Sequence, residues 1–555
     1  MKELNAKIPS YVTRVTDTLQ DAGFEAYLVG GCVRDLLMGR TPNDWDVTTN
    51  AVPKEIIGLF EKTFYENTYG TVGVVVKTDV SGETPENINP SVARLTLTPQ
   101  RAERAINQIV PRETLRPGSG QATTDDVDSS ASRRTMAGIT GAEVSGETVV
   151  IEVTPYRVES KYSDKRHPDE VVFSKKLEDD LRRRDFTINA LAYNPREKKI
   201  IDLYKGQDDI KDTIIRAIGK PEDRFNEDAL RLLRAVRFSA QLGFTIEKET
   251  ENAVKHLSEN LKNISSERIR DEFTKIIMSD NAMSGIILAH DLRLLRFVVP
   301  ELEGGVGLEQ KGMHIYTIWE HNLRALDAAV KHSWPLHIRL AALLHDVSKP
   351  ETRRWSREKD KWTFYGHDVV GGRVSKKIME RLKFPVKLTD TVSSLVAYHM
   401  FFSDIEKITL SAVRRVVANV GAENVWDLMK IRACDRIGMG RPVEKPYRLR
   451  KYEAMIEEAM RSPVSVGMLK IDGTKIMEVT HETPGPKLGL ILHALLEEVL
   501  EDPSLNTAEY LEKRTPELIK LPETELKKLG EEGKEKKAET EKEELTKIRQ
   551  KHGVK

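Results

Sequence analysis

The spacing of apolar and polar residues changes near residue 206 of this 555-residue chain. Before that point, short apolar runs such as EAYLVGG, DWDVTT and TVGVVV predict strands, and amphipathic segments between them predict helices. After it, segments such as EDALRLLRAVRFSAQLG and SERIRDEFTKIIM repeat apolar residues at helical spacing without a strand pattern. The sequence therefore predicts a mixed α+β region followed by a long helical region.

The alternating order lapses between residues 80 and 147. This stretch is rich in Ser, Thr, Gly, Pro and acidic residues, a composition typical of loops or disorder. Because the strand pattern resumes with VVIEVTPYRVE, we predict a disordered insertion between two strands that are otherwise near neighbours. The last residues, 513–555, form a charged tail, for which we expect a solvated helix or disorder.

The composition indicates a soluble protein of several domains. Charged residues make up 31% and hydrophobic residues 39%, as in soluble globular proteins, and the length predicts several domains. Lys+Arg and Asp+Glu total 87 each, so any contact with nucleic acid must come from local basic patches. With only Cys32 and Cys434, no disulfide framework is possible. We find no signal-peptide core and no apolar run of about 20 residues, so we expect a cytoplasmic protein without a membrane partner.

The strongest chemical signal is the segment YLVGGCVRDLLMGRTPNDWDVTT. Gly30 and Gly31 stand between a predicted strand and helix, where glycine lets backbone N–H groups approach phosphates. Arg34 occupies the first helical turn, an unfavourable place for a cation unless it faces phosphate. Asp44 and Asp46 are two apart on a predicted strand, so they share a face, and a divalent cation would relieve their repulsion. A lone D-x-D pair is common at strand edges, but this combination favours two-metal phosphoryl transfer with Mg²⁺.

A second group of candidate ligands lies between residues 314 and 440. Imidazole and carboxylate together suit divalent metals. His345 and Asp346 interrupt an apolar helix (IRLAALLHDVSK), where they would be costly to bury without a metal or a partner. The alternative is a structural domain whose histidines are satisfied by hydrogen bonds. The candidate ligands for a divalent metal of unknown identity are His321, His345, Asp346, His367, His399 and Asp435.

The motif GGxVRDxLxGxxxxDxD resembles that of the class II tRNA nucleotidyltransferases, the family of CCA-adding enzymes and bacterial poly(A) polymerases. The resemblance spans residues 20–79 and 148–512. It implies a polymerase-β-like head with a mixed sheet, followed by an all-α neck, body and tail. The histidine block resembles the HD phosphohydrolase superfamily, whose domains occur in some members of this family.

The resemblance also implies a division into domains. We expect a nucleotidyltransferase head over 1–205, a helical neck with a nucleotide-selecting helix over 206–313, an HD domain over 314–440, a helical tRNA-binding tail over 441–512, and the charged tail over 513–555.

The family pattern further implies roles in the head. Glu152, on the strand after the insertion, matches a third metal-binding acid, although a surface glutamate is the plain alternative. Arg184 and Asp185 match the residues that recognise the ribose 2′-OH, with Asn189 nearby; a charged helix entry is the alternative. A loop with Asp164, Arg166 and Pro168 matches one that helps the switch from C to A addition.

In the neck, Asp228 and Arg231 match a pair that reads the incoming base. They are three apart on one predicted helix face, although a solvated salt-bridge stripe has the same spacing. Carboxylate and guanidinium fit the amine and ring nitrogen that cytosine and adenine share, and they oppose guanine and uracil. Arg234 and Arg237 continue the spacing and are candidates for contacts with the nucleotide or with tRNA phosphates.

These observations predict a tRNA nucleotidyltransferase that adds C, C and A from CTP and ATP, with an added HD domain and a possible phosphohydrolase activity. The near alternatives are an A-adding enzyme and a poly(A) polymerase. Alternatives of other classes are an HD phosphohydrolase with a nucleotide-binding head and an RNA-binding protein with an inactive transferase site.

Overall fold

The computed structural model describes residues 4, 6–65, 70–78, 148–159, 171–310, 315–400, 408–441, 443, 446–460 and 466–529. The backbone divides into two compact units, Met1–Glu227 and Asp228–Lys555. Outside the described residues lie the predicted insertion over 80–147, the loop with Asp164, Arg166 and Pro168, and the tail beyond residue 529. Among the described helices, none is long and apolar enough to cross a membrane.

A seven-stranded mixed sheet forms the centre of the first unit. The strands lie in the order β3-β4-β5-β2-β1-β8-β9; β2 and β5 are parallel, and the other neighbours are antiparallel. The sheet strands are β1 (Ala26–Val29), β2 (Asp46–Thr49), β3 (Thr63–Tyr65), β4 (Val72–Lys77), β5 (Thr148–Pro155), β8 (Leu191–Asn194) and β9 (Lys199–Asp202). A separate antiparallel pair consists of β6 (Arg157–Glu159) and β7 (Val171–Phe173), and a short strand, β10, spans Ile214–Ile215.

Helices pack against this sheet. They are α1 (Ser10–Asp21), α2 (Gly31–Leu37), α3 (Pro53–Leu59), α4 (Leu177–Arg182), α5 (Gly206–Lys211) and α6 (Pro221–Glu227). Fully buried Leu19 of α1 and Ile56 of α3 belong to the same core cluster as Val47 of β2 and Val153 of β5. The alternating apolar residues of the strands thus fill the space under α1 and α3, and the predicted α+β class is confirmed.

The insertion separates two strands that are direct neighbours. Strands β4 and β5 pair antiparallel from Val72↔Val153 to Lys77↔Thr148. The chain therefore leaves the sheet after Lys77 and returns beside it at Thr148. The prediction that the two flanking strands lie together is confirmed. A long insertion is tolerable at such a point because the entropy of closing a loop rises only slowly with its length.

The second unit is mainly helical. Its first helices are α7 (Leu230–Leu242), α8 (Lys248–His256), α9 (Ser266–Ile277), α10 (Ala282–Asp291) and α11 (Pro300–Glu303), with a short strand, β11, at Thr245–Ile246. Helix α7 ends at Gly243, whose φ of 74° is a left-handed cap that glycine adopts without strain. The region of the predicted HD domain contains α12 (Ile318–Lys331), α13 (Leu336–Leu344), α14 (Lys349–Thr352), α15 (His367–Arg381), α16 (Val386–Tyr398), α17 (Leu410–Val420) and α18 (Val425–Gly438).

One feature of this region departs from the helical expectation. An antiparallel hairpin of β12 (Arg354–Ser356) and β13 (Lys361–Thr363) lies between α14 and α15. The segment RWSREKDKWT has no helical repeat of apolar residues, and its two tryptophans face each other across the hairpin. The body is therefore not entirely α-helical.

The last helices form a core of their own. They are α19 (Tyr447–Met460), α20 (Gly473–Thr480), α21 (Pro486–Glu501) and α22 (Ala508–Leu518). Gly485 and Pro486 start α21, with the proline in its first turn, where its missing N–H has no helical partner to lose. Ile476, Leu495 and Leu511 connect α20, α21 and α22 in one buried cluster.

Candidate active site and candidate metal centre

The glycine turn of the first unit lies against two predicted site residues. Gly30 joins β1 to α2 with a φ of 82°, which favours glycine. A Cβ atom added there would lie 2.9 Å from Arg184 Nη1 and 3.8 Å from Asp46 Oδ2. Added at Gly31, it would lie 3.6 Å from Arg34 Nη2. The absence of side chains at this turn therefore leaves room for the cations and the carboxylate beside it.

The two aspartates of the D-x-D motif differ in backbone setting. Strand β2 begins at Asp46, so Asp44 lies in the bend before the strand, and placing both on one strand was wrong. Pro42 and Asn43 favour a turn at this point, which delays the strand. The expected alternation still holds because Trp45 is buried, whereas Asp44 is exposed and Asp46 is half-buried.

Glu152 lies beside Asp46. The two residues are Cα partners in the parallel pairing of β2 with β5, and Glu152 is exposed. Asp44, Asp46 and Glu152 are not among the groups of described residues whose ligand atoms converge within 4.8 Å. Carboxylates repel each other, so the backbone brings these acids to one place without packing them closely.

Three predicted residues are connected behind the turn. Arg34, which is 8% exposed, donates from Nη1 to Asn189 Oδ1 at 2.8 Å. Asn189 Nδ2 donates in turn to Asp185 Oδ1 at 3.2 Å. Asp35 contacts Arg34 Nη2 at 2.7 Å. Arg34 is therefore fixed on both sides, and Asn189 connects it to Asp185.

Asp180 is a site residue that sequence reasoning missed. It is fully buried, and its Oδ2 accepts from Arg184 Nη2 at 3.1 Å and from Thr48 Oγ1 of β2 at 3.4 Å. Burial alone would raise the pKa of Asp180, but Arg183 and Arg184 outweigh it and lower that pKa. Its position four residues before Arg184 on a helix was the available signal. Asp180 thus holds Arg184 against the strand that carries Asp46.

Asp228 and Arg231, the pair predicted to read the incoming base, lie at the start of α7 in different surroundings. Asp228 accepts two hydrogen bonds from Arg268, at 3.2 Å from Nη1 and 2.7 Å from Nη2. Arg231 lies in the first turn of α7 and is 8% exposed. Leu230 donates its backbone N–H to Asp228 Oδ1 at 3.1 Å, so the carboxylate also contacts the first residue of α7. Sequence reasoning missed Arg268 because it is 40 residues away.

Arg234 and Arg237 flank one aromatic ring. The guanidinium carbons lie 5.4 Å and 4.0 Å from the centroid of Phe238. Arg237 is buried, and its Nη1 lies 3.2 Å from Glu272 Oε1 of α9. The contacts of Arg237 therefore favour packing of α7 against α9, and a contact with nucleotide or tRNA stays a prediction for both arginines.

The six predicted HD residues come together in the second unit. All are buried, and they form two groups in which ligand atoms lie within 4.8 Å of one another: His321, His345 and Asp435, and Asp346, His367 and His399. Asp346 connects the groups, because its Oδ2 lies 3.0 Å from His321 Nε2 and its Oδ1 lies 3.2 Å from His367 Nε2. Residues from five segments, separated by up to 114 positions between His321 and Asp435, therefore surround one point.

Backbone carbonyls orient three of these imidazole rings. His345 Nδ1 faces Ala342 O at 2.8 Å, His367 Nδ1 faces Phe364 O at 2.7 Å, and His399 Nδ1 faces Val396 O at 2.7 Å. A carbonyl can only accept, so each Nδ1 carries a proton and each Nε2 faces the centre of the cluster, where it offers a lone pair when the ring is neutral. This is the tautomer that binds a metal through Nε2.

Two cations flank the acidic members of the cluster. Lys349 Nζ lies 2.6 Å from Asp346 Oδ2, and Arg432 Nη1 lies 2.5 Å from Asp435 Oδ2. Burial would raise the pKa of both aspartates, but the neighbouring cations dominate and keep each pKa well below its usual range. Burial would lower the pKa of His345, yet Asp346 outweighs it and raises that pKa to about 10.

The cluster fits a divalent metal better than a network of hydrogen bonds. Both carboxylate oxygens of Asp346, and Nε2 of His367 and of His399, are buried without a partner in hydrogen-bond geometry. Buried polar atoms in this condition are costly, and ionised carboxylates with inward-facing imidazoles are suitable ligands. Lys349, three residues after Asp346, is a further member that sequence reasoning missed.

Comparison with known protein families matches three regions of the chain. Residues 26–115 and 119–216 match the Poly A polymerase head domain, residues 243–304 match the probable RNA and SrmB-binding site of polymerase A, and residues 318–439 match the HD domain. The chain therefore has a nucleotidyltransferase head, an RNA-binding region and an HD domain, as the resemblance implied.

Individual relatives identify the family more closely. A CCA-adding enzyme of Lactobacillus delbrueckii subsp. bulgaricus is 30% identical over 490 residues, 88% of this chain and 92% of that relative. An A-adding tRNA nucleotidyltransferase of Deinococcus radiodurans is 34% identical over 58% of this chain and 75% of its own length. The crystal structure of the Bacillus stearothermophilus CCA-adding enzyme in complex with CTP has a TM-score of 0.59 at 23% identity, covering 91% of this chain and 96% of that one. The chain belongs to the tRNA nucleotidyltransferase family of CCA-adding enzymes.

Proposed function

We propose that this chain adds C, C and A to the 3′ end of tRNA, with CTP and ATP as nucleotide donors. The observation that carries the proposal is the position of Asp46, which is the Cα partner of Glu152 and lies near the Gly30 turn. The chain that holds these residues is 30% identical to a CCA-adding enzyme over 490 residues. The near alternative is A addition alone, the activity named for a relative that is 34% identical.

Asp44, Asp46 and Glu152 would hold the catalytic ions, because they supply hard oxygen ligands of the kind that Mg²⁺ prefers. Mg²⁺ held there would supply the positive charge that lowers the barrier to attack by the 3′-hydroxyl and to loss of pyrophosphate. The turn at Gly30 and Gly31 accommodates the triphosphate, and Arg34 adds positive charge beside it. Because Arg34 is fixed by Asn189 and Asp35, its charge is pre-oriented.

Ribose selection falls to Arg184 and Asp185. The guanidinium can donate to the 2′-oxygen and the carboxylate can accept the hydroxyl proton, so a deoxyribose would lose both of these hydrogen bonds. Asp180 fixes Arg184, and Asn189 fixes Asp185. Asp180 and Asn189 are positioning residues in this scheme.

Base selection falls to Asp228 and Arg231. A carboxylate accepts from the exocyclic amine of cytosine or adenine, while a guanidinium donates to the adjacent ring nitrogen. Guanine and uracil present a carbonyl and a protonated nitrogen at the same edge, so they oppose both groups. Arg268 donates twice to Asp228, which orients that carboxylate as an acceptor.

The HD cluster supports a second activity, metal-dependent hydrolysis of a phosphate ester. The supporting observation is the set of three Nε2 atoms oriented by backbone carbonyls around Asp346. A bound metal would activate water and polarise the phosphate. If the head only bound nucleotide, this hydrolysis would be the chain's main activity.

The test uses tRNA that lacks its CCA end, with labelled CTP and ATP supplied separately and together. We expect both nucleotides to be incorporated and addition to stop after three. Incorporation of ATP alone onto tRNA ending in CC would favour the A-adding alternative, and open-ended tailing would favour a poly(A) polymerase. No incorporation, together with hydrolysis of phosphate esters, would favour the HD phosphohydrolase.

A further inference from the structure

The hairpin between α14 and α15 has a surface that neither transfer nor metal binding uses. We define the basic hairpin as residues 353–365. Trp355 and Trp362 are directly opposite each other across its two strands, with ring centroids 5.1 Å apart and planes at 75°. Trp355 is 43% exposed and Tyr365 is 60% exposed. The hairpin therefore presents two large aromatic side chains to solvent within eleven residues of sequence.

Cations surround these rings. Arg353 lies over Trp362, with its guanidinium carbon 3.8 Å from the ring centroid, and Lys359 Nζ donates to the Tyr365 hydroxyl at 2.7 Å. Between residues 353 and 361 there are five Lys or Arg residues and two acidic ones, in a chain whose total charge is zero. The basic hairpin is therefore a local positive patch with exposed aromatic faces.

The C-terminal end of the hairpin adjoins the HD cluster at Phe364. His367, a member of the cluster, donates from Nδ1 to Phe364 O at 2.7 Å. Lys349 Nζ, which contacts Asp346, lies 5.6 Å from the centroid of the Phe364 ring. Tyr365 is two residues from His367. A ligand on the exposed rings would therefore approach the buried carboxylates and imidazoles.

We propose that the basic hairpin docks a single-stranded RNA end and directs its terminal phosphate toward the HD cluster. Bases stack on Trp355 and Tyr365, and the RNA backbone lies along Arg354, Lys359 and Lys361. Sequence-independent binding of single strands combines such stacking platforms with a cationic track. An acidic peptide would use the charge but would gain little from exposed aromatic faces. The proposal deepens the HD activity and is independent of nucleotide transfer by the head.

The experiment measures binding of a short single-stranded RNA with a 3′-phosphate to the full-length chain by fluorescence anisotropy. W355A/Y365A should weaken binding about thirtyfold or more, because it removes two rings and stacking on each contributes about fivefold or more. Tyr65→Ala, at a 58% exposed aromatic residue of β3, is the matched control and should leave the affinity unchanged. R354Q/K361Q should reduce the dependence of the affinity on salt concentration.

Two further measurements distinguish a loss of RNA binding from unfolding and from a loss of nucleotide transfer. Thermal unfolding should show that W355A/Y365A is folded, and incorporation into tRNA lacking CCA should be unchanged, so loss of RNA binding would not reflect loss of transfer. An affinity that W355A/Y365A leaves unchanged would overturn the proposal. It would also be overturned if the wild-type chain bound an acidic peptide through Arg354 and Lys361 but did not bind the RNA, since the patch would then be a protein-binding site.

Discussion

The carboxylates of the head and the ligands of the HD cluster are organised in opposite ways. Asp44 and Glu152 are exposed, and Asp46 is half-buried at the start of β2. The six HD residues are buried, and three of their imidazoles are oriented by backbone carbonyls. The chain thus contains one open set and one closed set of candidate metal ligands.

The difference indicates how each site would hold its metal. An open set of carboxylates leaves the coordination shell available to the phosphates of a nucleotide, so the ions can enter with the substrate. A closed set whose imidazoles are already oriented needs little rearrangement to bind a metal, so it favours a metal that stays bound. Four predictions follow this contrast in order of expected effect.

Loss of a head carboxylate should have the largest effect on transfer. Asp46→Ala removes the acid that pairs with Glu152 across β2 and β5, and we expect nucleotide incorporation to fall about a thousandfold or more. Incorporation into tRNA lacking CCA measures it. The metal content of the HD cluster and any phosphate-ester hydrolysis should remain unchanged. Incorporation within tenfold of the wild-type rate would show that Asp46 holds no catalytic ion.

Loss of the central HD carboxylate should instead lower stability and metal content. Asp346→Ala leaves Lys349 buried without its ion pair, so we expect the free energy of unfolding to fall by about 3–5 kcal/mol. Denaturant unfolding and elemental analysis measure the two effects. Asp390→Ala breaks only the exposed pair with Lys376 and should cost less than about 1 kcal/mol. If Asp346→Ala retained its metal content and its stability, Asp346 would not be a ligand of that metal.

A positioning residue of the head should change discrimination more than rate. Asp180→Asn weakens the hold on Arg184, and we expect preference for CTP over dCTP to fall about tenfold, the effect of one weakened hydrogen bond to a charged group. The measurement is kcat/KM for both nucleotides. Asp179→Asn alters the neighbouring carboxylate, which accepts from Ser174, and should leave the preference unchanged. Equal losses for CTP and dCTP would indicate a purely structural role for Asp180.

The smallest expected effect concerns the base-reading pair. Arg268→Ala removes two hydrogen bonds from Asp228, and we expect the preference for CTP over UTP to fall about threefold to tenfold. Misincorporation of UTP into tRNA lacking CCA measures it. Lys275→Ala, at a half-exposed cation on the same helix, is the control. An unchanged preference would remove Arg268 from the recognition of the base.

The sequence was sufficient for features whose partners follow a short or regular pattern. The pairing of β4 with β5 could be predicted because the strand pattern stops before the insertion and resumes after it. The HD residues could be predicted because His345 and Asp346 follow an apolar segment and match a family pattern. Placing them within the helix was wrong, because α13 ends at Leu344 and both residues lie in the turn that follows it.

Other features depend on contacts between distant residues, which one sequence does not show. Arg268 contacts Asp228 from another helix, and Thr48 contacts Asp180 from a strand 132 residues away. The displacement of Asp44 from the strand depends on the turn at Pro42 and Asn43, whose effect competes with the strand pattern of DWDVTT. The hairpin at Trp355 was missed because its flanking helices dominate the local pattern.

The contrast between an open and a closed ligand set has one direct test. The full-length chain is stripped of metal with a chelator, and Mg²⁺ is then added while elemental analysis follows the HD cluster. The account predicts that CCA addition returns with Mg²⁺ alone, at millimolar concentration, while the HD cluster stays free of transition metal. If addition returned only when the HD cluster was refilled, the head would not hold its own catalytic ions and the account would be contradicted.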